Sequence, residues 1–327
     1  MTVRIGTRAS KLALTQSQQA ADQLAAVGGF PVELVRIKTE GDVRTGSLSQ
    51  MGGTGVFVAA LRDALLENAC DVAVHSLKDL PTGAAPGLTI AATPKRVDVR
   101  DALCARDGLK LADLPAAAKV GTGSPRRAAQ LRAARRDLDV VDIRGNVDTR
   151  LGRVPGLAGN AEDSPGDLDA VVLAAAGLER ISRLDVVTEF FETDVMLPAP
   201  GQGSLAIECR TADAPGQSGA EGSQGALAQA LAALNHEDTR LAVTAERAVL
   251  ARLEAGCAAP VGAYAYRKGS MLYLEAVVCA VDGSKSVREK KATDGLTEVG
   301  ATLLGIEVAE LLLAAGAADI ADLAASR

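Results

Sequence analysis

The chain has 327 residues and a mass of 33.4 kDa, with 35 basic and 41 acidic side chains and a formal net charge of −6. This length is typical of two or three domains, and an apolar fraction of 48% excludes an intrinsically disordered chain. With no Trp, four Phe and three Tyr, the acidic chain has few platforms for stacking bases, which argues against a nucleic-acid binder. Its five Cys and two His show no metal-ligand spacing. We therefore expect a metal-free, reduced, cytoplasmic protein.

The first 95 residues alternate short β-branched runs with helical patterns, which is typical of an α/β domain with a parallel sheet. Ser10 is predicted to cap the first helix, and Gly55–Glu67 to form a second one. The predicted strands are Val3–Thr7, Val32–Lys38, Asp71–His75 and Leu88–Thr93.

After Arg100 the same alternation begins again, and Val154–Asp167, rich in Gly and Pro, is predicted to be an exposed insertion. The predicted strands are Ala102–Ala105, Lys119–Thr122, Leu138–Ile143 and Asp169–Leu173, and the predicted helices are Pro125–Arg136 and Val147–Leu151. Two such segments in one chain predict an α/β fold with two periplasmic-binding-protein-like lobes around a cleft.

Residues 210–225 contain four Gly and no large apolar side chain, so they are predicted to form a linker. Beyond them the order of patterns changes to two helices, three strands and a last helix. The predicted helices are 226–234 and 237–254, and the predicted strands are 261–267, 271–281 and 286–292. This order predicts a small C-terminal α+β domain.

Basic residues are concentrated in Lys119–Arg153, where nine basic side chains stand against four acidic ones. In an acidic protein this indicates an anionic small-molecule ligand, because guanidinium groups match carboxylates and phosphates in bidentate geometry. Arg126 and Arg127 directly follow a Gly-Thr-Gly-Ser-Pro turn at a predicted helix start, where free N–H groups favour an anion. We interpret the remaining helical arginines, Arg132, Arg135 and Arg136, as a solvated helix face.

Two further segments leave alternatives open. His75–Asp79 places four polar side chains at the end of a predicted strand, where open α/β sheets bind ligands. Asp79 is either a site carboxylate or a turn former ahead of Pro81. Cys257 is by default a small buried side chain, although its Gly-Cys setting between a helix and a strand also suits a reactive thiol.

Seven motifs follow one another along the chain: Ile5–Ala13, His75–Pro81, Gly121–Arg127, Ile143–Arg150, Pro200–Gly203, Glu246-Arg247 and Gly256–Gly262. In this order they resemble the porphobilinogen deaminase (hydroxymethylbilane synthase) family over essentially the whole chain. The resemblance implies a transferase that joins four porphobilinogen molecules head to tail. Ammonia is released at each step, and the product is hydroxymethylbilane, a precursor of haem and related tetrapyrroles.

The resemblance also implies the site. Members of the family grow the product on a dipyrromethane cofactor that a thioether links to one cysteine, which by motif is Cys257. Asp79 matches the catalytic carboxylate. The residues that match carboxylate-binding positions for cofactor and substrate are Arg8, Arg126, Arg127, Arg144, Arg150 and Arg180. Their hydrogen-bonding neighbours are Ser10, Ser76, Lys78, Thr122, Ser124 and Gln202. Thr54 stands where family members often have Lys, so we expect no basic contact there.

The resemblance implies three domains, and we expect a monomer. We expect no binding to nucleic acid, because the chain is acidic and poor in aromatic residues, and none to membrane, because no apolar stretch approaches the roughly 18 residues that span a bilayer. The expected limits are 1–95 with 201–213, then 101–196, and, after the linker 210–225, 226–327, which carries Cys257. The rival hypothesis is a non-catalytic cytosolic protein of the same two-lobed architecture that only binds a polycarboxylate. The mass of the intact protein discriminates between the two, because only the enzyme carries a covalent cofactor.

Overall fold

A computed structural model describes residues 2–37, 55–157, 166–216, 223–256 and 259–323. Cys257, Thr54, much of the predicted insertion and part of the predicted linker lie outside the described residues. The chain divides into two compact units. Unit 1 comprises Met1–Arg96 and Ser204–Arg240, and unit 2 comprises Val97–Gly203 and Leu241–Arg327. None of the helices among the described residues is long and apolar enough to cross a membrane.

Unit 1 is built on a five-stranded sheet. Its strands are β1 (Val3–Thr7), β2 (Val32–Arg36), β3 (Val72–Ser76), β4 (Leu88–Ala92) and β10 (Leu205–Arg210), in the order β2-β1-β3-β10-β4. Strand β1 pairs in parallel with β2 and β3, whereas β10 runs antiparallel between β3 and β4. The expectation of a parallel sheet is therefore wrong at β10, because a late segment of the chain returns in the opposite direction and inserts near the centre.

Three helices accompany this sheet: α1 (Lys11–Gly28), α2 (Gly55–Leu66) and α6 (Ser223–Leu234). Helix α1 begins where predicted, because the Ser10 side chain accepts a hydrogen bond from Ala13 N at 3.3 Å. It ends at Gly29, whose φ of 65° suits a residue without a Cβ. Apolar side chains of α1, α6 and the strands form one core, with Leu24 and Leu231 fully buried in it.

Residues 210–216, predicted as part of a linker, are instead packed into unit 1. Arg210 ends β10 and donates to Asp213 at 2.7 Å and to the carbonyl of Cys70 at 2.8 Å. The Asp213 side chain is buried, and Ala214 joins the apolar core. The segment needs no large apolar residue because a charged pair and backbone carbonyls hold it in place.

Unit 2 repeats this arrangement in its first sheet. The strands are β5 (Asp101–Ala105), β6 (Lys119–Gly121), β7 (Asp139–Val141), β8 (Ala170–Ala174) and β9 (Glu189–Phe190), in the order β7-β6-β8-β5-β9. Strand β6 is parallel to β7 and β8, and β5 is antiparallel to β8 and β9. The helices are α3 (Pro125–Ala134), α4 (Val147–Leu151) and α5 (Ala175–Arg180). Two α/β lobes are thus confirmed, each with a mixed sheet.

The C-terminal part is α+β, as predicted. An antiparallel sheet joins β11 (Val261–Lys268), β12 (Met271–Cys279) and β13 (Ser286–Thr293). The helices here are α7 (Glu237–Arg252), α8 (Glu298–Ala314) and α9 (Ala317–Ile320). One face of the sheet buries Leu272 and Leu274 in a core shared with Leu304 and Leu312 of α8.

Within unit 2, three contacts hold the C-terminal part of the chain against helix α3 and residues 197–201. The buried Glu246 carboxylate accepts hydrogen bonds from Gly201 N at 2.6 Å and Ala265 N at 2.8 Å. At Gly262 a Cβ would lie 2.9 Å from Leu197 O, and at Gly283 it would lie 2.6 Å from Ala133 N. Such close approaches leave room only for glycine, so the β12–β13 hairpin rests directly on α3. The three domain limits expected from the sequence stay a prediction.

Candidate functional site

Two strands of unit 1 end at the same edge of the sheet and carry predicted site residues. Parallel pairing of Ile5 with Val72 brings the carboxyl ends of β1 and β3 side by side. Arg8 follows β1 and is half-buried, and Ser76 ends β3. The carboxyl edge of parallel strands is where α/β sheets bind ligands.

Side chains of α1 fix this edge. Ser10 serves as the helix cap, so its hydroxyl is already engaged by the backbone. Ser76 Oγ lies 2.9 Å from Nε2 of Gln16, which donates to it. Gln16 is buried and was not among the predicted site residues. Leu12, Gln16 and Ala20 are four residues apart and therefore lie on one face of the helix. A polar residue between two apolar ones on that face is the sequence signal that could have identified Gln16.

Lys78 and Asp79 lie on a short 3₁₀ turn, Leu77–Asp79, that continues directly from β3. The turn is held by its apolar side chains, because Leu77 and Leu80 are buried. It is also held by its backbone, since Leu77 N donates to Ser204 O at 3.0 Å. Both charged side chains are half-buried. Among the described residues, no cation forms an ion pair with the Asp79 carboxylate.

A buried charged network lies just ahead of that turn. Glu208 of β10 is fully buried, and Arg62 of α2 donates to its Oε1 through Nε at 3.1 Å and Nη2 at 2.9 Å. His75 Nε2 lies 3.2 Å from the second carboxylate oxygen. Burial opposes ionisation of Glu208, but its interactions with His75 and Arg62 outweigh burial and hold the pKa below its usual range.

In unit 2, the Gly-Thr-Gly-Ser turn forms the start of α3. Ser124 caps the helix by accepting from Arg127 N at 3.4 Å, and Thr122 Oγ1 accepts from Ser124 N at 3.2 Å. At Gly123 a Cβ would lie 2.5 Å from the carbonyl oxygen of Ile143. The turn is therefore compact because the chain leading to Arg144 passes directly beside it.

Asp101 connects Arg126, Arg127 and Gln202. The carboxylate is fully buried and lies 2.8 Å from Arg126 Nη1 and 2.7 Å from Arg127 Nη2. Gln202 Nε2 donates to it at 2.9 Å. Burial alone would raise the pKa of Asp101, yet the two guanidinium groups hold it far below its usual range. Asp101 was not predicted, because nothing in the sequence marks which aspartates are buried.

Arg150 and Arg180 are half-buried, whereas Arg144 is exposed and pairs with Asp142 at 3.1 Å. Arg150 Nε donates to Gly145 O, and Arg180 Nη2 donates to Gly203 O, both at 2.9 Å. Burial, together with the neighbouring charges of Arg127 and Arg144, lowers the pKa of Arg150. Burial lowers the pKa of Arg180 to about 10. Within the described residues, neither guanidinium forms an ion pair with a carboxylate.

This cluster suits a polycarboxylate. Among the described residues, the buried Arg126 and Arg127 share the single carboxylate of Asp101, half-buried Arg150 forms no ion pair, and the buried Arg126 Nε has no acceptor. Desolvated cations in excess of their counterions are costly unless an anion binds them. A dipyrromethane bearing acetate and propionate groups supplies such anions, so the donor set fits the cofactor implied by the sequence.

The interpretation of Arg132 and Arg135 as a solvated face is wrong. Arg132 donates to Val281 O at 2.9 Å, and Arg135 donates to Leu111 O at 2.7 Å. These side chains tie α3 to neighbouring loops through carbonyl groups, which charge patterns in the sequence do not reveal. Arg136 is exposed, as predicted.

Comparison with known families identifies the chain. A family profile described as "Porphobilinogen deaminase, dipyromethane cofactor binding domain" matches residues 3–217. A second, described as "Porphobilinogen deaminase, C-terminal domain", matches residues 240–314. The chain belongs to the porphobilinogen deaminase family. The cofactor of this family is a dipyrromethane, which agrees with an arginine cluster that suits a polycarboxylate ligand.

Individual relatives agree with this membership. The porphobilinogen deaminase of Cutibacterium acnes is 56% identical, covering 99% of this chain and 98% of its own. The porphobilinogen deaminase of Leifsonia xyli subsp. xyli is 54% identical, and the alignment covers 98% of this chain and 94% of the relative. Among solved structures, a periplasmic substrate-binding protein of an ABC transporter from Coxiella burnetii aligns over 71% of this chain and 91% of its own. That alignment has 15% identity and a TM-score of 0.42, and nothing about ligands follows from it.

The buried Glu208 network makes the stability of the protein depend on pH. Because the pKa of Glu208 is lower in the folded state, its contribution is present above about pH 4.5 and is lost as the pH falls through the folded pKa. As the pH is lowered, we expect the free energy of unfolding to decrease less steeply in Glu208→Gln than in the parent. The two slopes should differ by up to about 1.4 kcal/mol per pH unit. Denaturant titrations from pH 6 to about pH 3 measure this slope.

Glu33→Gln is the matched control, because Glu33 is exposed on β2 of the same unit. It should keep the pH dependence of the parent. Identical slopes in Glu208→Gln and the parent would contradict the assignment of a lowered pKa to Glu208.

Proposed function

We propose that this protein is a hydroxymethylbilane synthase. It condenses four porphobilinogen molecules head to tail on a covalent dipyrromethane and releases one ammonia per condensation. The observation that carries the proposal is the family match over nearly the whole chain, with the acidic and basic site residues of the motifs all present. A purely binding protein is not favoured, since the relatives named above are all deaminases.

We propose that Cys257 attaches the cofactor through a thioether. The four described cysteines are all buried, and burial raises the pKa of the Cys104 and Cys209 thiols to about 12 and that of Cys279 to about 11. Burial likewise raises the pKa of Cys70. Thiols of this kind stay protonated at neutral pH and are poor nucleophiles. When bound, the dipyrromethane supplies the free pyrrole position to which the first substrate is joined.

The arginines of unit 2 then bind carboxylate groups of the cofactor and of the growing chain. Acceptors within the described part of the chain engage only some of the N–H groups of Arg144 and Arg150, and Arg180 is partly desolvated. Guanidinium groups bind carboxylates in paired hydrogen bonds, which fix orientation as well as charge. Each condensation adds further carboxylates, so a cluster of several arginines suits a product that lengthens.

Asp79 supplies the negative charge that the chemistry needs. Loss of ammonia from porphobilinogen leaves positive charge on the substrate pyrrole and its methylene carbon. A carboxylate on a rigid turn stabilises this charge most in the transition state, because it is oriented before the charge develops. The same carboxylate can accept the proton that is lost when the new carbon–carbon bond restores aromaticity. Buried Leu77 and Leu80 keep the turn in place during both steps.

The mass of the intact protein tests the function directly. We expect the purified chain to exceed its sequence mass by two porphobilinogen units less two ammonia, and to release ammonia from porphobilinogen. Cys257→Ala should lack both the added mass and the activity. Cys104→Ala is the matched control, since Cys104 is a fully buried free thiol, and it should keep both. An unmodified, inactive parent chain would contradict the proposed function.

Asp79→Asn is expected to keep the covalent adduct and to lose turnover by several orders of magnitude, because the charge is removed at nearly constant shape. Asp79→Glu keeps the charge slightly misplaced and should retain a measurable fraction of the rate. Single-turnover release of ammonia, measured on protein whose mass confirms the adduct, gives both rates.

Asp22→Asn, a change at an exposed position on α1, controls for the loss of a carboxylate as such and should leave the rate unchanged. Ammonia release by Asp79→Asn at close to the parent rate would make Asp79 a turn former and remove it from the chemistry.

A further inference from the structure

The side chain most enclosed by the proposed carboxylate-binding residues is itself acidic. Asp101, the first residue of β5, is inaccessible to solvent. Its Oδ1 accepts from Arg127 Nε at 2.8 Å and from Gln202 Nε2 at 2.9 Å, and its Oδ2 lies 2.8 Å from Arg126 Nη1. One carboxylate therefore contacts three of the residues to which the motifs assign cofactor and substrate binding.

Each partner of Asp101 is also held at a second point. Arg127 Nη1 donates to Val172 O at 3.1 Å, and Arg126 Nη1 donates to Leu197 O at 2.6 Å. Gln202 Nε2 donates in addition to Val99 O at 2.8 Å. Arg127 makes its contacts through three nitrogens, whereas Arg126 and Gln202 each make both contacts through one nitrogen. Asp101 and these carbonyls therefore together restrain the planes of all three side chains.

The charges do not cancel within this group. Among the described residues, the two buried guanidinium groups share a single carboxylate, which leaves one positive charge that is poorly solvated. If the site served only to neutralise the two arginine charges, a second acidic side chain would do so more completely. Here one positive charge is left without a counterion, and the hydrogen bonds orient the side chains that carry it. Such an arrangement is suited to binding one more carboxylate.

We propose that Asp101 is a positioning residue for carboxylate binding, which orients Arg126, Arg127 and Gln202 for a carboxylate of the cofactor or substrate. This inference rests on the proposed function, since it names how the same site is organised. Asp101 itself does not contact the ligand in this proposal.

A positioning role and a simple charge effect predict opposite results. Removal of a negative charge beside a carboxylate site strengthens anion binding if only the charge matters. Loss of orientation weakens binding even though the net positive charge rises. A third possibility, a role in stability alone, lowers resistance to unfolding and leaves ligand binding unchanged.

The experiment compares Asp101→Asn and Asp101→Glu with the parent. Asn keeps the shape and removes the charge, whereas Glu keeps the charge and displaces it in a fully buried space. Asp169→Asn is the matched control, because Asp169 in the same unit pairs with Arg106 at 2.7 Å and accepts from Lys119 N at 2.7 Å. The readouts are the fraction of chains with the covalent adduct after incubation with porphobilinogen, KM for porphobilinogen against kcat of the loaded chains, and thermal unfolding.

Both Asp101 variants are expected to form the adduct more slowly and to raise KM by about tenfold or more, with a smaller change in kcat. The control should lose thermal stability only. A KM that is unchanged or lower in Asp101→Asn, or a parent-like Asp101→Glu, would overturn the proposal. Failure of both variants to fold would also overturn the proposal, because Asp101 would then have a role in stability alone. A parent without adduct and activity would instead overturn the proposed function on which this inference rests.

Discussion

The carboxylate of Asp101, held between two arginines in the interior of unit 2, is the interaction on which the candidate site depends. An ionised carboxylate is retained in a protein interior only where its partners replace the lost water, and here three side chains do so at 2.7 to 2.9 Å. The partners come from the start of α3 and from the Pro200–Gly203 turn. One buried charge thus connects the beginning of β5, the arginine helix and that turn.

The surplus of positive charge around these arginines is unfavourable unless an anion binds there. Arg126, Arg127, Arg144 and Arg150 bring more positive charge together than Asp101 and Asp142 balance. The lowered pKa of Arg150 expresses this surplus, since burial and like charges both disfavour its cationic form. The proposed binding of a polycarboxylate explains why a chain with a net charge of −6 concentrates its arginines here.

Most elements could be predicted from the sequence because hydrophobic periodicity and capping residues report local structure. Ser10, Ser124 and the β-branched runs mark the starts of helices and the strands within two residues. The insertion of β10 between β3 and β4, and of β5 between β8 and β9, could not be predicted, because strand direction depends on partners distant in sequence. Packing of residues 210–216 was missed for a related reason, since hydrogen bonds to carbonyls leave no apolar pattern.

The candidate site divides in the same way. The motif resemblance predicts Asp79, Cys257 and a set of arginines as site residues, but not Asp101, Gln16 or Glu208. These three act on other side chains, so their role follows from burial and from hydrogen-bond partners that only coordinates provide. Arg135 is an error of the opposite kind. Its charge and its position in the helix predict a solvated side chain, but its guanidinium donates to backbone carbonyls.

The most direct test of the central claim, that surplus positive charge in unit 2 is held for a polycarboxylate, is a comparison of stability with cofactor attachment in Arg150→Met. Without a bound anion, a desolvated cation among like charges destabilises the fold. In the Cys257→Ala background, where no adduct is expected, Arg150→Met should therefore raise the free energy of unfolding. With Cys257 present, the same change should lower the fraction of chains that carry the covalent adduct. Arg136→Met, at an exposed position, should do neither. The claim would be contradicted if Arg150→Met lowered the free energy of unfolding in the Cys257→Ala background and left cofactor attachment complete when Cys257 is present.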